Sequence, residues 1–135
     1  MRCTAQFDVT RWDDEIYDEP LEGPRMARAS VSKVYEGDLR GESASQVLMA
    51  QSDPDDYSAG AGYVASERIT GQLGDRKGSF VIQYGGTTGG GADEKSFGHV
   101  VPGSGRGDFE GMHGSVEIGK NAEGKHMLTM EFDFG

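Results

Sequence analysis

Apolar and polar positions along this chain alternate with a period of two, segment after segment, and that period predicts strands. Over residues 3–12, Cys3, Ala5, Phe7 and Val9 share one face, while Thr4, Gln6, Asp8 and Thr10 share the other. Residues 13–25 (DDEIYDEPLEGPR) are acidic, hold two prolines and read as a loop covering one mouth of the fold. Alternation resumes over 26–36, with Ala27, Ala29, Val31 and Tyr35 in phase. After a turn at Gly37-Asp38 it continues over 39–51. There Val47 and Met49 share a phase, and the small residues Gly41, Ser43 and Ser45 mark a crowded or bent stretch. Ser52 to Asp56 then punctuates the chain.

The second half repeats the scheme. A long strand is expected over 60–73, with Tyr63, Ala65, Ile69 and Leu73 in phase, and Gly74 to Gly78 closes a hairpin onto 79–84, where Phe80, Ile82 and Tyr84 align. Gly85 to Gly91 is glycine-rich enough to predict a mobile loop. A short strand over 95–101, a turn at 102–105, and a strand over 107–118 interrupted by Gly111 and Gly114 follow. Asn121 to Gly124 turns into a last strand over 125–134, with Leu128, Met130, Phe132 and Phe134 in phase.

About eight strands with no 3.6-residue period predict an all-β fold. We expect a single antiparallel β-barrel, closed or nearly closed and calycin-like, over residues 1–135. Closure follows from the long strands, which would otherwise leave edges to manage. The inward phases mix Ala, Gly and Ser with Phe, Tyr and Met, as a small interior requires.

Composition narrows the function more than the fold. The chain has 135 residues, room for one ordinary domain, and its 22 glycines follow no collagen period. A net charge of −10 with no Lys/Arg run argues against nucleic acid and anionic membrane surfaces as partners. Cys3 is the single cysteine, the opening residues MRCTAQFDV carry no apolar leader core, and no apolar stretch is long enough to span a bilayer, so a cytoplasmic setting is expected.

Three segments stand out together: GAGYVASERITGQLGDRKGSFVIQYGG at 60–86, VPGSGRGDF at 101–109, and GMHGS at 111–115. With them the chain resembles the DUF3224 family, uncharacterised bacterial proteins that look like the allene oxide cyclase barrels in fold. The Tyr-x-Ala-x-Glu-Arg stretch at 63–68, Gly-Ser-Phe at 78–80 and Pro-Gly-Ser-Gly at 102–105 carry the resemblance, which extends from the first strand to the last. It implies a barrel of about eight strands and brings no activity.

Glu67 is the candidate with most chemistry. It alternates with Tyr63, Ala65 and Ile69, so a regular strand points it inward, where a carboxylate costs several kcal/mol unless paired or protonated. It is either a polar anchor or general acid/base in a cavity, or one half of a structural ion pair with Lys33 or Arg40. Tyr63 and Tyr84 share that interior as hydrogen-bonding contacts or as core. Glu110 could also face inward, but Gly111 and Gly114 blur its phase. His99, His113 and His126 have no metal-ligand spacing, so no metal is expected, and no motif implies a cofactor.

Three functional readings follow. The first is a binding module holding a small, largely apolar ligand, with Tyr63, Glu67 and Tyr84 as contacts. The second, ranked last, is a cyclase- or isomerase-type enzyme using Glu67 as acid/base. The third is a filled barrel acting through its surface as a homo-oligomer, such as a dimer. Interior volume separates them: roughly 300 Å³ or more of free space with convergent polar groups favours a ligand.

Overall fold

The alternation becomes nine strands in a computed structural model describing residues 1–135. They are β1 (Arg2–Asp18), β2 (Arg25–Gly37), β3 (Leu39–Gln51), β4 (Ala61–Leu73), β5 (Arg76–Thr88), β6 (Lys95–Val100), β7 (Arg106–Gly107), β8 (Met112–Lys120) and β9 (His126–Phe134). One 3-10 turn, Tyr57–Ala59, precedes β4, and the Asp56 side chain caps it by accepting from the Ser58 amide. No helix is long and apolar enough to cross a membrane.

Every pairing is antiparallel. The order β4-β3-β2-β1-β9-β8-β6-β5, with β4 also pairing β5, joins eight strands into a ring, and β7 attaches to β5 alone. The predicted inward phases hold. Cys3, Ala5 and Phe7 of β1, Ala29, Val31 and Tyr35 of β2, Ile69 of β4, Phe80 and Ile82 of β5, and Leu128, Met130 and Phe132 of β9 are all buried in one cluster. Phe109 joins them from the segment before β8, its ring edge-on to Phe80 at 5.2 Å.

The strands are unequal, and this shapes the interior. β1 has 17 residues and β2 to β5 have 13 each, whereas β6 has 6 and β8 and β9 have 9 each. At one end the ring packs solidly around Leu39, Ile69, Phe80, Phe109 and Met112, all essentially without solvent exposure. At the other end β8 and β9 stop short while β1 to β5 continue, and the interior opens.

Three expectations need correction. Residues 13–18 are not loop: they continue β1, pairing with β2 as far as Asp18↔Met26. The register shifts between Val9 and Arg11 and again between Ile16 and Asp18. These bulges break the period-two pattern by which a strand is read. Gly85 and Gly86 are not in a mobile loop, since β5 runs to Thr88. A Cβ on Gly85 would stand 2.5 Å from the Tyr63 carbonyl oxygen and 2.7 Å from the Phe97 ring, so glycine here admits an aromatic ring. The strand expected over 107–118 begins only at Met112, behind a turn at 108–111, and the pair Arg106–Gly107 is separate. Glu110 lies in that turn and is exposed.

The crowding expected around Gly41 is real. Gly41 pairs with Gly71, and a Cβ on Gly41 would lie 2.2 Å from the Thr70 carbonyl oxygen and 2.7 Å from the Gly71 Cα. Both obstacles are backbone and cannot rotate away. Gly41→Ala should therefore destabilise the protein by about 2–3 kcal/mol, read as a lower urea midpoint at unchanged slope.

Candidate functional site

The ring brings four polar side chains together in the middle of the interior: Lys33 and Tyr35 from β2, Glu67 from β4 and Tyr84 from β5. Strand geometry explains how they meet. Lys33 and Glu67 stand on strands separated by β3, a span of roughly 9–10 Å. The residues of β3 between them are Ser43, opposite Lys33, and Ser45, opposite Glu67. Small side chains there let the long lysine reach over β3. Tyr84 pairs with Ala65, two residues before Glu67 on the same face, so its phenol falls beside the carboxylate.

Glu67 has no solvent exposure and accepts hydrogen bonds on both oxygens. Lys33 Nζ donates to Oε1 at 2.9 Å, Tyr84 Oη donates to the same oxygen at 2.6 Å, and Tyr35 Oη donates to Oε2. Lys33 Nζ also donates to Tyr84 Oη at 3.0 Å and lies 4.3 Å from the Phe7 ring centroid. Burial alone would raise the Glu67 pKa, but the Lys33 charge and the donors from Tyr35, Tyr84 and Lys33 outweigh it and hold the carboxyl below its ordinary value. Tyr35 and Tyr84 shift upward, first from burial and then from the Glu67 charge beside them. Glu67 is thus a carboxylate in a closed set of donors, not a free acid.

Above this network lies a cavity of about 660 Å³, open to solvent. Val31, Val47, Met49, Tyr63 and Trp12 supply apolar wall, Lys33 and Tyr84 reach it from the network, and Lys95 and Ser96 stand on its far side. Of the expected contacts, Tyr84 and Tyr63 line this space and Glu67 does not; it sits behind Lys33 and Tyr84. Tyr63 is 38% exposed, its ring 6.2 Å edge-on from that of Tyr84, and burial raises its pKa.

Lys33, not Arg40, is the ionic partner of Glu67; Arg40 is exposed. Lys33 and Tyr35 were legible as inward positions but not as a unit with Glu67, because nothing in strand periodicity aligns β2 with β4. Outside this network no three His, Cys, Asp or Glu side chains converge as metal ligands, and all three histidines are exposed. Burial first, then the Asp38 charge, push the Cys3 thiol up to about 11, which disfavours the thiolate.

A family model described as "Protein of unknown function (DUF3224)" matches residues 3–132. The crystal structure of a protein with unknown function from the DUF3224 family of Shewanella oneidensis MR-1, at 1.84 Å resolution, is similar with a TM-score of 0.85. It is 31% identical in sequence, with 100% of this chain and 98% of that chain covered. No curated protein matches.

The network predicts a signature in stability. Lys33→Met strands the Glu67 charge and should cost about 3–5 kcal/mol, and Glu67→Gln strands Lys33. The double variant should lose clearly less than the two singles summed, as a denaturation double-mutant cycle would show. A carboxyl whose folded pKa is lowered binds protons more tightly when unfolded. Its stabilisation is complete above the ordinary carboxylate range and is lost as pH falls below it. Glu67→Gln should remove that share of the acid sensitivity.

Proposed function

We propose that this chain, which belongs to the DUF3224 family, is a binding module: a small β-barrel, shaped like those of the allene oxide cyclases, that holds a small, largely apolar molecule at its open end. The observation that carries this reading is the cavity itself. At about 660 Å³ it exceeds the roughly 300 Å³ at which ligand pockets begin, and most of its lining surface is apolar. Tyr63 forms part of the wall, Tyr84 and Lys33 the polar floor, and Glu67 supports the floor from behind rather than touching the occupant.

The network also bears on the choice between binding and catalysis. A general acid/base must reach the proton that it moves. The Glu67 oxygens are shielded from the cavity by Lys33 and Tyr84 and already accept from Lys33, Tyr84 and Tyr35. This favours a preorganised binding surface over a cyclase or isomerase built on Glu67. A packed module acting only through its surface is disfavoured because the open end is not filled. A cytoplasmic setting fits the single buried thiol of Cys3.

A neutral apolar dye tests the reading directly. N-phenylnaphthylamine should gain fluorescence with the protein and quench Trp12, the only tryptophan, which borders the cavity. Val47→Phe, which adds bulk to the wall, should weaken the dye at least tenfold while circular dichroism retains the strand signal. Dye that binds both proteins alike, or neither, would sink the cavity-binding reading.

A further inference from the structure

The open end leaves two strand edges without partners. β1 pairs β2 all the way to Asp18, but on its other side β9 reaches only Gln6↔Met127. Beyond Phe7, as far as Asp18, no residue of β1 is paired to a strand on that second side. β6 is in a similar position: β5 pairs it from Lys95 to Val100, while β8 meets it only at His99↔Ser115. One cavity touches both edges, at Val9 and Trp12 of β1 and at Lys95 and Ser96 of β6. At this end the ring lacks part of its wall.

The chemistry of the β1 edge defines what fits it. After the bulge, Trp12, Asp14 and Ile16 stand opposite Val31, Ala29 and Ala27 and share their inner face. Trp12 and Ile16 remain about half exposed, at 51% and 47%. The outer face presents Arg11, Asp13 and Glu15, opposite Ser32, Ser30 and Arg28. Arg11 pairs with Asp13 and Arg28 with Glu15, whereas Asp8, Asp14 and Asp18 have no ionic partner. An unpaired strand edge recruits an extended chain through its amides and carbonyls, and the flanking side chains choose which one.

We propose that the free edge of β1, residues 8–18, is a seat for an extended basic segment of another protein. The segment adds to the sheet as a strand, with alternate apolar side chains over Trp12 and Ile16 and lysines or arginines toward the acidic positions. Charge decides against a second copy of this chain as occupant. The same edge on the copy would bring Asp8, Asp13, Asp14, Glu15 and Asp18 against their equivalents, within a chain of net charge −10. The seat goes beyond the small-molecule reading, because its affinity comes from backbone pairing and charge rather than from filling the cavity.

The probe is a synthetic peptide of about ten residues alternating valine and lysine, the length of a long strand. It should shift Trp12 emission, slow amide hydrogen exchange over residues 8–18, and weaken as salt is added. A peptide with glutamate in place of lysine, and one with proline in place of valine, should not bind. Ile16→Asp, which lies beyond the closed ring and leaves folding intact by thermal melting, should weaken the valine–lysine peptide at least tenfold. The proposal is overturned by equal binding of the glutamate peptide, by protection confined to other residues, or by no binding. Self-association that protects 8–18 would overturn it too, because the occupant is then a second copy. N-phenylnaphthylamine titrated into the same samples separates the two readings. Dye binding without peptide binding removes only the strand seat, and peptide binding without dye binding removes only the small-molecule cavity.

Discussion

A single buried ion pair organises the interior of this protein. Two unpaired charges at the centre of a closed sheet would each cost several kcal/mol, and their mutual attraction offsets that cost only when further hydrogen bonds complete the shell. The demands of Lys33 and Glu67 reach into the neighbouring strands. β3 must carry Ser43 and Ser45 where the lysine crosses, β2 must place Tyr35 two residues beyond Lys33, and β5 must bring Tyr84 beside the carboxylate. Registers across β2, β3, β4 and β5 are therefore tied together, since a one-residue slip would turn one of these groups to solvent and leave its partner unsatisfied.

The same network divides the interior in two. On one side Leu39, Ile69, Phe80, Phe109 and Met112 fill the ring. On the other the long strands outrun the short ones, and the cavity stands between walls that β8 and β9 do not complete. Filled core and open cavity coexist because strand length differs around the ring. The open end is bordered by mostly acidic residues of β1, and charges along a bare edge discourage edge-to-edge pairing. In the proposed strand seat the same charges would select a basic occupant.

Much of this was legible from alternation alone. The inward phases of β2, β5 and β9 were correct because a half-buried strand must place every second residue in the core, and Glu67 was identified as inward by the same rule. The failures come from local composition that tertiary pairing overrides. β1 was cut short because residues 13–18 open an acidic run with two prolines that reads as loop, although pairing with β2 carries them as strand to Asp18. β5 was cut short because Gly85 and Gly86 resemble a linker, although Gly85 is glycine to admit the ring of Phe97.

The sequence by itself determined that the chain is all-β, which face of most strands is buried, and that an inward carboxylate at position 67 had to be paired, protonated or set in a cavity. For the paired case it offered Lys33 or Arg40. Only the tertiary structure decided for Lys33, added Tyr35 and Tyr84 to the same carboxylate, and placed the cavity on the near side of that network and the packed core on the far side. The reason is geometric: periodicity fixes orientation within a strand, whereas register and strand order, which bring β2 across β3 to β4, are set by pairings between residues distant in the chain.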